Sequence, residues 1–252
     1  METLADVVAA GRNREGPAVD APGRTADYTY REFSTNAWKA GNLLRHYGVR
    51  SGATLALVAG PKEPTPDDEP GWLGTAADPL VALLGGATLG AIVDIDPEQP
   101  VDARALVLPD GWLDRYEVEP GCSRVAYGGP PETAGVAHFE RELWSENPIQ
   151  PPDPVAPDDP LLRVADREFT HADVLDAAKG LAETHELAAG DRVAIDAPLT
   201  TAGAVAAGVV APLLVGATIL LQPPASLPAD VVYVVGDPGA WDDRAVDPAD
   251  VL

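Results

Sequence analysis

The chain has 252 residues, an apolar fraction of 46% and a formal net charge of −23, with 40 acids against 17 bases. That length allows one large or two smaller cores. The charge excludes DNA, RNA and anionic membranes as natural partners, since their binding depends on Lys and Arg meeting phosphate. No run of about 18 apolar residues exists, and the N-terminus "METLADVVAAGRNREG" has no basic start with a long apolar centre, so a cytoplasmic chain is expected. The acids are spread along the whole length, a pattern of salt-loving surfaces whose self-repulsion concentrated salt screens. The lone Cys122 excludes an internal disulfide and reads as a structural thiol.

In chain order, residues 4–10 read as a short helix and 27–29 as a short strand. Thr29 with Glu32 makes a capping-box pattern. Phe33, Ala37, Ala40, Leu43, Leu44 and Tyr47 then recur at helical spacing. Gly48 ends that helix, Gly52 marks a turn, and 54–59 is a buried strand. The stretch "GPKEPTPDDEPGWLG" is an exposed loop. Asp78 is placed to cap the next helix, with Pro79 in its first turn, and 91–95 is another strand.

"NPIQPPDPVAPDDP" follows later, too rich in proline for regular structure, and reads as a linker over 148–160. Beyond it come a strand at 161–164, a tight turn, and a strand at 168–170. Thr170 caps a helix with Asp173 on its first turn, and Val174, Ala177, Ala178, Leu181 and Leu187 form its apolar face. Gly190 marks a turn, 192–196 a strand, 203–215 a small-residue helix and 218–221 a strand. The segment "DPLVALLGGATLG" in the first half is echoed by "APLLVGATILL" in the second. One unit, strand-helix-strand-helix-strand, is thus written twice.

Alternating strands and helices imply mostly parallel sheets covered on both faces. The expected fold is α/β, two similar αβα subdomains, one over 1–147 and one over 161–252, with 29–95 superposing on 170–221. Ligands in such folds sit at the carboxyl ends of strands. Those ends are the loops at 60–62, 94–97, 196–201 and 236–238.

Few residues there carry chemistry. Lys62 is the single cation in such a loop and reads as solvated. Asp94 and Asp96 lie two apart at a strand exit and could hold a cation or act as acid and base, although Asp96-Pro97 fits a loop former better. The four histidines have no metal spacing and no Cys partners, so no metal is expected; His171, on the first turn of a helix, reads as a surface or packing residue. "GGPPETAG" at 128–135 resembles a nucleotide cradle but has no following Lys-Ser/Thr, and its prolines remove amides a phosphate needs. The five tryptophans show no repeated spacing.

"YTYREFSTNAWKAGNLLRHYGVRSGATLALV", "LLGGATLGAIVDIDPEQP" and "FTHADVLDAAKGLAETHELAAGDRVAIDAPLTTAGAVAAGVVAPLLVGATILL" together resemble the adenylate-forming enzymes: acyl-CoA synthetases, luciferases and peptide-synthetase adenylation domains. The likeness covers about residues 24–100 and 158–225. It implies the large domain of that family, built of two similar αβα subdomains, and ATP, AMP and CoA as the family's ligands. The family's Ser/Thr/Gly-rich phosphate loop, ending in Pro-Lys-Gly, falls just before the segment holding His171. This chain reads "DDPLLRVADREFTHADVL" there, with Asp166 where phosphate would sit and Arg167 as the one counter-charge. The aromatic-His pair that follows Pro-Leu in the family is replaced by Thr200-Thr201 after Pro198-Leu199. The family's adenine loop, ribose-binding Asp, Mg-associated Glu and C-terminal catalytic Lys have no counterpart up to Leu252.

The expectation is therefore a domain without ligase activity, with no catalytic residue and no cofactor, kept for binding or assembly. Its crevice candidates are Lys62, Asp94, Asp96, Arg167, His171, Thr200 and Thr201. Two alternatives are half of an AMP-binding ligase completed by a complementary synthetase chain, and a structural homo-oligomer.

Overall fold

The computed structural model describes residues 1–22 and 27–252. Of the strand expected at 27–29, Tyr28–Thr29 is a strand and Asp27 is not.

Helix α1 (Leu4–Gly11) opens the chain behind a Thr3–Asp6 capping box. Strands β1 (Pro17–Asp20) and β2 (Tyr28–Thr29) form an antiparallel hairpin. Helix α2 (Tyr30–His46) begins at the expected box, where Thr29 Oγ1 accepts from Glu32 N–H at 3.2 Å and the Glu32 carboxylate accepts from Thr29 N–H. Then follow β3 (Thr54–Leu57), α3 (Asp78–Ala87), β4 (Ile92–Asp94), β5 (Ala105–Pro109), β6 (Ser123–Tyr127), β7 (Ala137–His138) and α4 (Phe139–Ser145). Asp78 does not cap α3, which has no side-chain cap. Its carboxylate is turned to Lys62 instead, at 2.9 Å.

The second half starts with the hairpin β8 (Pro160–Val164) and β9 (Arg167–Thr170). Thr170 and Asp173 form the expected box for α5 (His171–Thr184). Strand β10 (Arg192–Asp196) leads to a helical run: α6 (Ala202–Val205), a π turn (Ala206–Val210) and α7 (Ala211–Val215). Strands β11 (Thr218–Leu221) and β12 (Val231–Gly236), helix α8 (Pro238–Trp241) and strand β13 (Ala245–Val246) complete the chain.

Two sheets result, in orders β7-β6-β5-β3-β4-β8-β9 and β13-β12-β10-β11-β1-β2, parallel except for the two hairpins. The repeated unit is present, but the sheets do not divide at the linker. Hairpin β1–β2 pairs with β11 of the second half, and hairpin β8–β9 pairs with β4 of the first. The halves exchange their opening hairpins. The boundaries 1–147 and 161–252 therefore part the sequence repeat and cut across both sheets.

One continuous apolar core joins them. Leu55 and Leu57 of β3, Leu43 and Leu44 of α2, Val174 of α5 and Ile195 of β10 all belong to it. Ala56 of β3 and Val58 just beyond its end, alternating with Leu55 and Leu57, face a smaller outer cluster with Trp112, as the period-2 pleat requires. Tyr30, buried at the start of α2, donates its hydroxyl to Ala217 O at 2.6 Å, tying the first half to the second. The proline-rich segment holds no helix or strand over 148–159, yet it is fastened along α2. Asn42 Nδ2 donates to Asn147 O and Ile149 O, Arg12 to Pro148 O, and Arg45 pairs with Asp153 at 3.3 Å. Among the described residues no helix is long and apolar enough to cross a membrane.

Candidate functional site

The family resemblance would put a phosphate loop at the turn between β8 and β9. Only Ala165 and Asp166 separate the two strands, and Ala165 takes φ +49° to make so short a connection. A non-glycine residue tolerates that conformation at a cost. The strands pair tightly up to Val164 and Arg167. Backbone amides consumed by an antiparallel ladder cannot converge on an anion. Arg167 does not supply the missing charge to a cavity, because its guanidinium lies 4.7 Å over the ring of Phe169 on its own strand.

The other crevice candidates are scattered. Lys62 Nζ sits between the Asp78 carboxylate at 2.9 Å and Glu140 at 3.6 Å, which raises its pKa against the opposing effect of burial. It serves as an internal counter-ion. Asp94 accepts from Asp96 N–H at 3.3 Å, closing the turn after β4, and burial pushes its carboxyl pKa up. Asp96 is exposed, and the pair forms a loop, as the Asp-Pro reading expects. Among the described residues no cluster of metal ligands exists. His171 lies in the interior, fully buried. Its Nδ1 accepts from Leu4 N–H at 3.1 Å, its Nε2 has no partner among the described residues, and burial drives its pKa down to about 4. Thr201 Oγ1 accepts from Ala204 N–H and caps α6. Thr200 packs its methyl against Gly71.

That last contact marks where two of the predicted loops meet. Gly71 N–H donates to Ala59 O at 2.7 Å, and Leu199 N–H donates to Gly71 O at 2.9 Å, so the loop after β3 is laced to the loop after β10. Gly71 has φ +96°, and a Cβ there would sit 2.6 Å from Pro198, so only glycine fits. Between these loops opens a cleft of about 430 Å³ at the carboxyl ends of β10 and β11. Leu73, Ile195, Ala197 and Leu221 give it apolar walls, and Asp68, Asp196 and Gln222 its polar groups. Trp72, 40% exposed, stands at its rim. None of the seven candidate residues lines it. The loops were legible, but Asp68 and Trp72 sat in a stretch that read as an exposed connection.

The topological switch points are occupied from within. β3 lies between β4 and β5, and β10 between β11 and β12, so strand order reverses at β3/β5 and β10/β12 while the strands stay parallel. At the first, Trp112 packs on Gly60, whose Cβ would stand 2.5 Å from the indole. At the second, Trp241 approaches Gly236 and donates Nε1–H to Asp196 Oδ2 at 2.7 Å. The sequences there are Trp112-Leu113-Asp114-Arg115 and Trp241-Asp242-Asp243-Arg244. The tryptophans do carry a repeat. It was hidden because unequal connections within the two halves spoil any fixed spacing.

A doubled α/β unit with exchanged hairpins and a helical core between two mostly parallel sheets is the fold of the N-terminal region of adenylate-forming enzymes. Similar solved structures include the anthranilate CoA ligase AuaEII in complex with anthranoyl-AMP, at TM-score 0.71 and 20% identity, over 88% of this chain and 45% of that one. The N-terminal domain of FACL13 from Mycobacterium tuberculosis matches at TM-score 0.70 and 17% identity, over 89% and 58%. A benzoate CoA ligase from Burkholderia xenovorans LB400 matches at 0.68 and 20%, over 88% and 46%. The chain thus spans about half the length of these structures. No protein-family profile and no curated protein sequence matches it.

Proposed function

We propose that this chain is a ligase-fold domain that binds a small molecule without activating it by adenylation. The observation that carries this reading is the two-residue Ala165–Asp166 turn in the place of a phosphate loop. Triphosphate binding needs several amides and cations aimed at one anion. Here a paired hairpin presents a carboxylate, and Arg167 lies on Phe169. Each charge-assisted hydrogen bond forfeited costs about 1.5–3 kcal/mol. Losing three weakens ATP by roughly three to six powers of ten. The purified chain is expected to give no carboxylic-acid-dependent pyrophosphate exchange over a panel of aryl and alkyl acids, and no calorimetric heat with ATP or AMP. Acid-dependent exchange above background would favour instead the half-ligase reading, in which ATP, AMP or CoA is shared with a complementary synthetase chain.

Self-association is a second reading, favoured by one surface. Trp144 is 86% exposed and Ile149 60%, on neighbouring segments that α2 holds through Lys39 and Asn42. Around them Arg12 and Lys39 donate to the carbonyls of Pro148 and Trp144, while Arg45 pairs with Asp153, Arg141 with Glu142 and His46 with Glu146. Four bases against three acids make this face nearly neutral in a chain of net charge −23. A second copy meets least repulsion there, and the apolar pair supplies contact area. Light scattering in 2 M KCl should give a dimer mass for the native chain and a monomer mass for Trp144→Ser. A monomer in both removes this reading.

A further inference from the structure

We propose that the cleft between the loops after β3 and β10 takes an apolar ligand bearing an ammonium group and rejects carboxylates. This deepens the binding-domain reading above and rests on it. The argument is one of charge and shape. The cleft, about 430 Å³, lies in the size range of small-molecule sites, with aliphatic walls that favour a hydrocarbon body. Its ionisable groups are two carboxylates, Asp68 and Asp196, and among the described residues no Lys, Arg or His lines it.

Neighbours favour the charged form of Asp68 and orient Asp196. Asp68 accepts from Thr65 N–H at 2.6 Å and Thr65 Oγ1–H at 2.9 Å, which holds its carboxyl below the usual range. Asp196 gives Oδ2 to Trp241 Nε1–H, and among the described residues its Oδ1 has no partner. The Arg115 guanidinium donates to the Asp68 carbonyl and stacks on Trp112 at 4.8 Å, outside the lining of this cleft. At the rim stands Trp72, the indole best suited to a cation over its face. A carboxylate or phosphate entering here would meet like charge with no compensating base, whereas an ammonium meets carboxylate and indole. The net charge of −23 adds a long-range pull in the same direction.

The test uses three ligands of one shape: phenethylamine, 2-phenylethanol and 3-phenylpropionate, titrated by calorimetry into the full chain at pH 7.5. Phenethylamine should bind at least tenfold tighter than 2-phenylethanol, and 3-phenylpropionate should give no measurable heat. Trp72→Ala and Asp196→Asn should each weaken the amine at least fivefold. Trp72 is half-exposed, and an asparagine at 196 can still accept from Trp241, so neither change threatens the fold. No amine binding, equal binding of the acid, or amine binding unmoved by Trp72→Ala would overturn the proposal. If the amine fails while pyrophosphate exchange is also absent, the ligand class is wrong and the non-adenylating reading stands. Exchange with an acid would remove that reading by itself.

Discussion

Gly85→Val should lower the stability of the chain by about 3 kcal/mol, a drop in the melting midpoint of roughly 6–12 °C for a protein of this size. Helices α2 and α3 cross with Gly41 and Gly85 at the contact. A Cβ on Gly85 would stand 2.7 Å from Ala40 Cβ, 2.8 Å from Gly41 N and 3.0 Å from Ala40 C. Most of these atoms are backbone, so no flexible side chain can yield. The helices would have to separate, and with them the packing of Leu80, Leu84 and Leu44 in the shared core. Overpacking of this kind costs typically 1–3 kcal/mol, more where the neighbour cannot move. Gly180→Val is the control, since nothing lies within 4 Å of its Cβ position. Equal midpoints for the two variants would show that the α2–α3 crossing is not the tight contact described.

The second large effect is on acid stability, through His171. Its Nδ1 accepts from Leu4 N–H, so its proton sits on Nε2 inside the core. A second proton would have to enter at Nδ1, against an amide that already points there. Burial lowers the folded pKa to about 4, partly opposed by the carboxylates of Asp159 and Asp6. The unfolded chain takes up this proton near pH 6.5. Between those values the unfolded state binds more protons, so the contribution is complete above pH 6.5 and is lost as pH falls towards 4. From pH 7.5 to 4.5 the native chain should lose about 2.5 kcal/mol through this residue alone. Asparagine at 171 retains an acceptor for Leu4 and cannot titrate. Urea unfolding of native protein and His171→Asn at several pH values should therefore show a slope in the first that is shallower in the second. Parallel curves would mean that His171 is not the titrating group.

What the sequence disclosed was local. Thr29 with Glu32 and Thr170 with Asp173 named two helix starts to the residue, because a capping box is satisfied within four positions. The doubled unit was legible for the same reason. Pairing partners were not, since nothing within β1 or β8 says which strand it will meet, and both pair across the repeat. Asp78 shows how a local rule loses. It stood at a helix start in capping context, but Lys62, 16 positions away, offered a charge inside a half-buried setting. At the site, the loops after β3 and β10 were found from fold logic, whereas Asp68, Trp72 and Asp196 carry no motif. Their meaning arises when Gly71 lets one loop lie on the other.

The exchanged hairpins also set a timetable for synthesis. Val19 pairs with Ile219, and Thr218 Oγ1 donates to Pro17 O, two hundred positions apart. At about 5–20 residues per second, the first hairpin leaves the ribosome roughly 10–40 s before its partner strand exists. During that wait β1 offers a bare edge to any neighbouring nascent chain. The other sheet is free of that delay, because β8 follows β4 by about seventy residues and closes on a strand already made. Order of emergence therefore makes the seven-stranded sheet the early structure and the six-stranded one the late. An N-terminal fusion partner or a slow codon run would act on the late sheet first.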